Sequence, residues 1–151
     1  MLKINNLSYS VKNKEILKNI SFSAGSGGLI SVIGPNGAGK TTMLKIIDGI
    51  ETASGGNVEL FNKDIKAYSK KDLAKLISYV PQIYNAVITD FTAEEIVAAG
   101  RYPYLDYFGG LGKEDKEIVN RIMNITDTAV FKDAPVSSLS GGERQRVYIA
   151  A

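Results

Sequence analysis

Gly34-Pro35-Asn36-Gly37-Ala38-Gly39-Lys40-Thr41-Thr42 is the stretch that decides the reading of this 151-residue chain. It fills the pattern G-x-x-x-x-G-K-[ST], a loop whose backbone wraps nucleotide phosphates. At ordinary usage of Gly, Lys and Ser/Thr, the four fixed positions coincide by accident in roughly one chain in 200 of this length. Accident is therefore a weak explanation, and the flanking residues weaken it further. Leu29-Ile30-Ser31-Val32-Ile33 reads as a short buried strand, and Met43-Leu44-Lys45-Ile46-Ile47-Asp48 reads as a helix closed by Gly49. Strand, glycine loop and helix is the context the pattern requires. The glycines let backbone N–H groups face phosphate oxygens, and the helix N-terminus adds partial positive charge. Lys40 is expected to reach the β- and γ-phosphates of ATP or a close relative. Thr41 is expected to place its hydroxyl on Mg²⁺, an ion that keeps several waters and takes few protein ligands.

The rest of the composition narrows the class. A chain of 151 residues suggests one domain, long enough to bury about 68 % of the surface its unfolded form exposes. There is no Cys and no His, which removes disulfides, thiol chemistry and the common zinc patterns. The opening residues Met1-Leu2-Lys3-Ile4-Asn5-Asn6 lack the apolar core of a signal peptide. No apolar run approaches the ~18 residues of a membrane span, so the chain is expected to be soluble. A formal charge of +2, from 18 basic and 16 acidic residues, gives no case for a nucleic-acid partner. Lys12-Asn13-Lys14 reads as a solvated turn.

Along the chain there is no repeat, low-complexity segment or linker, but the texture changes. Leu7-Ser8-Tyr9-Ser10-Val11, Ile20-Ser21-Phe22-Ser23-Ala24 and Asn57-Val58-Glu59-Leu60-Phe61 read as strands of a small antiparallel layer near the phosphate loop. Ser69 and Asp72 have capping spacing before Leu73-Ala74-Lys75-Leu76, and Ile77-Ser78-Tyr79-Val80 reads as a short buried strand running into Pro81 and Gln82. From Thr92 onward the pattern is helical. Thr92 and Glu95 frame one start, Gly100 marks a stop, and Lys113 to Ile125 is a longer amphipathic segment.

A second chemical signal lies in Val136-Ser137-Ser138-Leu139-Ser140-Gly141-Gly142-Glu143-Arg144-Gln145-Arg146-Val147. Ser140 and Glu143 satisfy the S-x-x-E capping box, so a helix begins there. The box alone is compatible with a purely structural helix start. The paired glycines favour another reading, because each disfavours a helix by up to ~1 kcal/mol relative to Ala. Two in one first turn suggest that something approaches the backbone closely, and an anion at a helix N-terminus is the natural candidate.

With its phosphate loop and the downstream Leu139-Ser140-Gly141-Gly142-Glu143-Arg144-Gln145-Arg146, the sequence resembles the ATP-binding cassette ATPases across essentially its whole length. Glu143 stands where the family's LSGGQ-type signature more often has Gln. The resemblance implies an α/β P-loop NTPase core with a small antiparallel β layer and a helical subdomain: residues 1–90 as β layer and core, 91–140 as helical subdomain, 141–151 as the start of the signature helix. Tyr9, 25 residues before Gly34, matches the aromatic residue that stacks on adenine in the family. Gln82, after Ser78-Tyr79-Val80-Pro81, matches the glutamine that reaches Mg²⁺ or the attacking water and senses the membrane partner. Its implied role is catalytic, with Thr41 and Gln82 the metal contacts.

The family also implies a head-to-tail dimer of two ATPase subunits. ATP lies between the phosphate loop of one and the Ser140, Gly141, Gly142 and Glu143 turn of the other, so Ser140 and Gly142 act in trans. Membrane permease subunits are the further partners, and the cytoplasmic face of the membrane is the implied place. Gly100-Arg101-Tyr102-Pro103-Tyr104 looks like the G-R-x-P element of importers of iron-siderophores, haem and cobalamin. The nearby Tyr102, Tyr104, Tyr107 and Phe108 fit either a helix-packing turn or a contact with a permease helix.

The 151 residues end at Tyr148-Ile149-Ala150-Ala151, inside the signature helix. The family's following strand ending in Asp-Glu and its switch histidine have no counterpart among them. The expectation is therefore an incomplete core with unpaired strand edges, and nucleotide binding without efficient hydrolysis, since a general base alone contributes ~10²–10⁴ in rate. The alternatives are a non-catalytic ATP-dependent interaction module and a soluble cassette ATPase of other function.

Overall fold

Alternation of side chains along residues 2–24, with a Lys-Asn turn between, sets up the first element pair. The computed structural model describes residues 1–81, 91–105 and 110–151, and these divide into two units, Met1–Tyr79 and Val80–Ala151.

In the first unit, β1 (Leu2–Val11) and β2 (Lys14–Ala24) form an antiparallel hairpin. Lys12 and Asn13 both take positive φ, 44° and 66°, the geometry of a two-residue turn whose twist matches its strands. β3 (Gly55–Leu60) and β4 (Lys63–Asp64) repeat the device through Phe61 and Asn62, at φ 52° and 63°. The sheet order is β2-β1-β3-β4, every pairing antiparallel. Register sets Ile4 opposite Phe22 and Val58, Leu7 opposite Ile20, and Tyr9 opposite Leu17. The inward residues Ile4, Leu7, Leu17, Val58 and Leu60 pack on α1 (Lys40–Ile47), which buries Met43 and Ile46. Ile65 and Leu73 close the cluster, the latter from α2 (Lys70–Ala74), whose Ser69 cap accepts from the Asp72 N–H at 3.0 Å.

The second unit is helical. α3 (Ala93–Ala99) starts at the Thr92 and Glu95 capping box and ends at Gly100. α4 runs over Lys113–Ile125, the span expected from its apolar spacing, and buries Val119 and Met123. α5 (Gly141–Ala150) buries Val147 and Ala150. Their cluster takes in Val97, Val136 and Leu139. Thr128, fully buried, donates to the Met123 carbonyl at 3.3 Å and so meets its own polar need at the exit of α4.

Two expected strands do not form. Residues 29–33 are extended chain without a ladder, with Leu29 94 % and Ile33 92 % exposed. Residues 77–80 are irregular, and Ser78 and Val80 are exposed. The reason is the same for both. A β-branched apolar run becomes a buried strand only when neighbours supply its hydrogen bonds, and no strand among the described residues pairs with either. Among the described residues no helix is long and apolar enough to cross a membrane.

Candidate functional site

The phosphate loop is built by backbone geometry that only glycine adopts cheaply. Gly37 and Gly39 lie at φ 82° and 84°, in the left-handed region. Gly39 is also crowded, since a Cβ there would stand 2.7 Å from Leu17 Cδ2 and 3.1 Å from both Ile16 Cγ2 and the Ile16 carbonyl oxygen. Ala38 N–H donates to the Pro35 carbonyl at 3.3 Å, which tightens the turn over Asn36 and Gly37. Gly34 to Ala38 are exposed, and the chain then enters α1 at Gly39.

The start of α1 has no side-chain cap, in contrast to α2, α3 and α5, each capped by a Ser or Thr oxygen. The first α1 hydrogen bond, from Met43 N–H to the Gly39 carbonyl at 2.9 Å, begins after Lys40, Thr41 and Thr42. Their N–H groups are the orphan donors of a helix end, where partial positive charge collects. Thr41 presents its side chain on the exposed side of this turn. Lys40 Nζ donates to the Gly34 and Pro35 carbonyls, both at 2.7 Å. The ammonium thus spans its own loop and holds it open as a cradle, within reach of whatever the loop encloses.

Tyr9 is tied to this loop through its cross-strand partner. Leu17, opposite Tyr9, is the residue whose Cδ2 abuts Gly39. The Tyr9 ring is half-buried against the sheet core, and its hydroxyl donates to Glu51 Oε2 at 3.3 Å. Burial and then the Glu51 carboxylate raise the phenol above its ordinary value, so it stays a donor at neutral pH. A cavity of about 250 Å³ lies between the C-terminal end of α1 and residues 65–73, and none of residues 34–42 lines it. With Gly34 to Ala38 exposed, the loop itself is an open surface cradle.

The second expected device belongs to the second unit. Ser140 caps α5, accepting from Glu143 N–H at 3.4 Å, while Glu143 Oε2 accepts from Ser140 N–H at 2.8 Å. The Ser140 side chain and then its backbone N–H hold the Glu143 carboxyl below the usual range. A Cβ on Gly141 or Gly142 would meet nothing within 4 Å. Among the described residues, no neighbour calls for glycine at either position. Arg144, unnoticed in the sequence, supports the turn. Its Nε donates to the Val136 carbonyl at 3.2 Å, and one terminal NH₂ donates to those of Ser137 and Leu139 at 3.3 and 3.0 Å.

The chain matches the ABC transporter family over residues 17–151. It belongs to that family. It is 37 % identical over 152 residues to the manganese transport system ATP-binding protein of Halalkalibacterium halodurans, covering 99 % of this chain and 58 % of that protein. It is 38 % identical over 138 residues to the iron(3+)-hydroxamate import ATP-binding protein of Bacillus subtilis, covering 91 % and 51 %. The fold is similar to a dimeric ATP-binding cassette in a post-hydrolysis state bound to ADP and Pi, at a TM-score of 0.78 and 28 % identity over 99 % of this chain and 68 % of that one. The chain thus spans little more than half the length of these curated relatives.

Within this ABC family chain, the G-R-x-P element has a structural account of its own. Arg101 Nε donates to Asp115 Oδ1 at 2.9 Å, with both side chains largely buried, and the guanidinium lies 4.1 Å from the Tyr104 ring centroid. Asp115 Oδ2 in turn accepts from Gly112 N–H at 3.1 Å, fixing the start of α4. These contacts pack Arg101 and Tyr104 at the start of α4. Tyr102 is exposed, whereas Gln82, Tyr107 and Phe108 lie outside the described residues. Glu51 and Arg144 had no legible signal, because each acts on backbone or hydroxyl partners that no local pattern encodes.

Proposed function

We propose that the chain is the nucleotide-binding part of an ABC importer ATPase subunit, holding Mg·ATP and working with permease subunits at the cytoplasmic face of a membrane. The observation that carries this is the loop at residues 34–42: left-handed glycines, an uncapped helix start and a lysine ammonium resting on two loop carbonyls. Phosphate oxygens compete for that ammonium with net charge in their favour, so Lys40 exchanges neutral carbonyls for anionic oxygens as nucleotide enters.

Mg²⁺ fits the residues present only as an ion carried by the phosphates. Thr41 offers one hydroxyl, and among the described residues no group of three acidic, Cys or His side chains could hold a metal alone. Tyr9 takes the adenine ring and Gln82 contacts the metal or attacking water. Ser140, Gly141, Gly142 and Glu143 serve the nucleotide of a second, head-to-tail subunit. The bare backbone at Gly141 and Gly142 supports this division, since a ligand can drive closure only through contacts it makes in the closed state.

The cargo class we propose is a metal or metal chelate such as an iron-siderophore, resting on the similarity to ATP-binding proteins of manganese transport and iron(3+)-hydroxamate import. The 151 residues contain no histidine and no Asp-Glu pair after the signature. A polypeptide of these residues alone is expected to bind nucleotide without efficient turnover.

Paired variants test the division of labour. Lys40→Ala is expected to weaken Mg·ATP binding to the isolated chain. Ser140→Arg is expected to leave that binding intact and to abolish ATP-dependent association. Equal loss of monomer binding in both variants would overturn it.

A further inference from the structure

Asn36 and Gly37 are exposed at the apex of the phosphate loop. The Ala38 N–H donates back to the Pro35 carbonyl, so the pair holds the two central positions of a tight turn. Gly37, at φ 82°, fills the place that glycine takes in a type II turn. Among the described residues the Gly37 N–H donates to no carbonyl, and a Cβ built on Gly37 would meet nothing within 4 Å. Its nitrogen therefore follows the Asn36 side chain with no ladder bond to break and no side chain of its own to hinder it. Two other asparagines of the same unit differ on both counts. Asn13 and Asn62 are exposed in hairpin turns at φ 66° and 63°. Each is followed by a lysine whose backbone belongs to a strand pair, Lys14 opposite Val11 and Lys63 opposite Leu60.

We propose that Asn36 is a site of spontaneous deamidation, and that the product impairs the phosphate loop. The Gly37 nitrogen gives its proton to hydroxide and attacks Asn36 Cγ. A C–N bond forms, the Cγ–Nδ2 bond breaks and ammonia leaves, closing a five-membered imide. Water then opens either carbonyl of the ring, which leaves aspartate or isoaspartate at position 36. Water is the one co-reactant, and nothing is oxidised or reduced. The step uses the thermal lability of asparagine and the backbone freedom of glycine. Residues 34–42 carry one charged side chain, Lys40, whose ammonium already rests on the carbonyls just before Asn36. A carboxylate at 36 cancels that charge and repels phosphate oxygens, and the isoaspartate form also lengthens the loop backbone by a methylene. The modification stands on the turn alone; its effect on binding rests on residues 34–42 holding nucleotide.

The test ages the 151-residue chain at mildly alkaline pH, with and without Mg·ATP, and maps its peptides by mass. Conversion to aspartate and isoaspartate is expected to be at least about tenfold faster at Asn36 than at Asn13 or Asn62. Saturating Mg·ATP should slow Asn36 at least about fivefold and leave the other two unchanged. In calorimetry, the number of sites titrated by Mg·ATP should fall with the modified fraction. Asn36→Asp should bind Mg·ATP at least about tenfold more weakly at low salt, the loss shrinking as ionic strength rises, with the parent's unfolding midpoint.

Conversion at Asn36 no faster than at Asn13 and Asn62 would overturn the proposal. Aspartate without isoaspartate would overturn the route through the Gly37 nitrogen. Full titration of a largely converted chain, or a salt-independent loss in Asn36→Asp, would overturn the electrostatic consequence. Rapid conversion of a chain that titrates no nucleotide even when fresh would defeat the nucleotide reading and leave the modification standing.

Discussion

Replacing Gly141 and Gly142 with alanine should move stability and association in opposite directions. The two residues open α5, take ordinary helical φ, and a Cβ on either meets nothing within 4 Å. The added methyls therefore cost no packing. Glycine is disfavoured in a helix by about 0.5–1 kcal/mol relative to alanine, and positions in the first turn recover about half of that. Each substitution should stabilise the helical unit by roughly 0.5 kcal/mol, the pair by about 1 kcal/mol. In a domain of this size that raises the unfolding midpoint by about 2–4 °C.

The same methyls occupy the open space at the helix start where the nucleotide of a facing subunit is proposed to dock. Thermal unfolding and light scattering with Mg·ATP, on one preparation, report both effects. The double variant should melt higher than the parent and need at least about tenfold more protein to associate. A lower midpoint would refute the claim that the chain makes no use of bare backbone there. Association equal to the parent's would refute the proposed docking.

Gly39→Ala should destabilise the first unit by about 2–4 kcal/mol in urea unfolding, because a left-handed φ of 84° is strained for alanine and Leu17 Cδ2 must move from 2.7 Å; a loss under about 0.5 kcal/mol would contradict the geometry. Arg144→Lys keeps the charge but not the fork that reaches three carbonyls, so amide exchange across residues 136–143 should speed up about tenfold. Unchanged exchange would remove Arg144 from its supporting role. The Glu143 carboxyl, held below its usual range by Ser140, lends stability that is complete above the unfolded carboxylate pKa and disappears as pH falls through the lowered folded value. Amide protection in the first turn of α5 should accordingly drop between about pH 6 and pH 3 in the parent, and Glu143→Gln should flatten that dependence.

The elements that were legible in the sequence are those whose stability is local. Thr92 with Glu95, Ser69 with Asp72, and Ser140 with Glu143 announce helix starts through bonds spanning three residues, and all three caps are present. Lys113–Ile125 was legible because its apolar spacing buries one face whatever it packs against. Residues 29–33 and 77–80 carried an equally strong apolar signal and formed no strand, since a strand is completed by distant partners that a local pattern does not contain. The same distinction runs through the site. Glycine spacing exposed the phosphate loop, and the signature turn carried its own cap. Glu51 reaches back 42 residues to Tyr9 and Arg144 clamps carbonyls of an irregular turn, contacts that exist only once the chain has folded.

Mg·ATP titration by calorimetry on the 151-residue chain beside Lys40→Ala, with native size measured in parallel, decides whether residues 34–42 hold nucleotide. Saturable binding is expected, weakened about 10- to 100-fold in the variant, the worth of one charge-assisted contact to phosphate. Absence of saturable binding by a monodisperse chain, or equal affinity in the two proteins, would contradict nucleotide binding there.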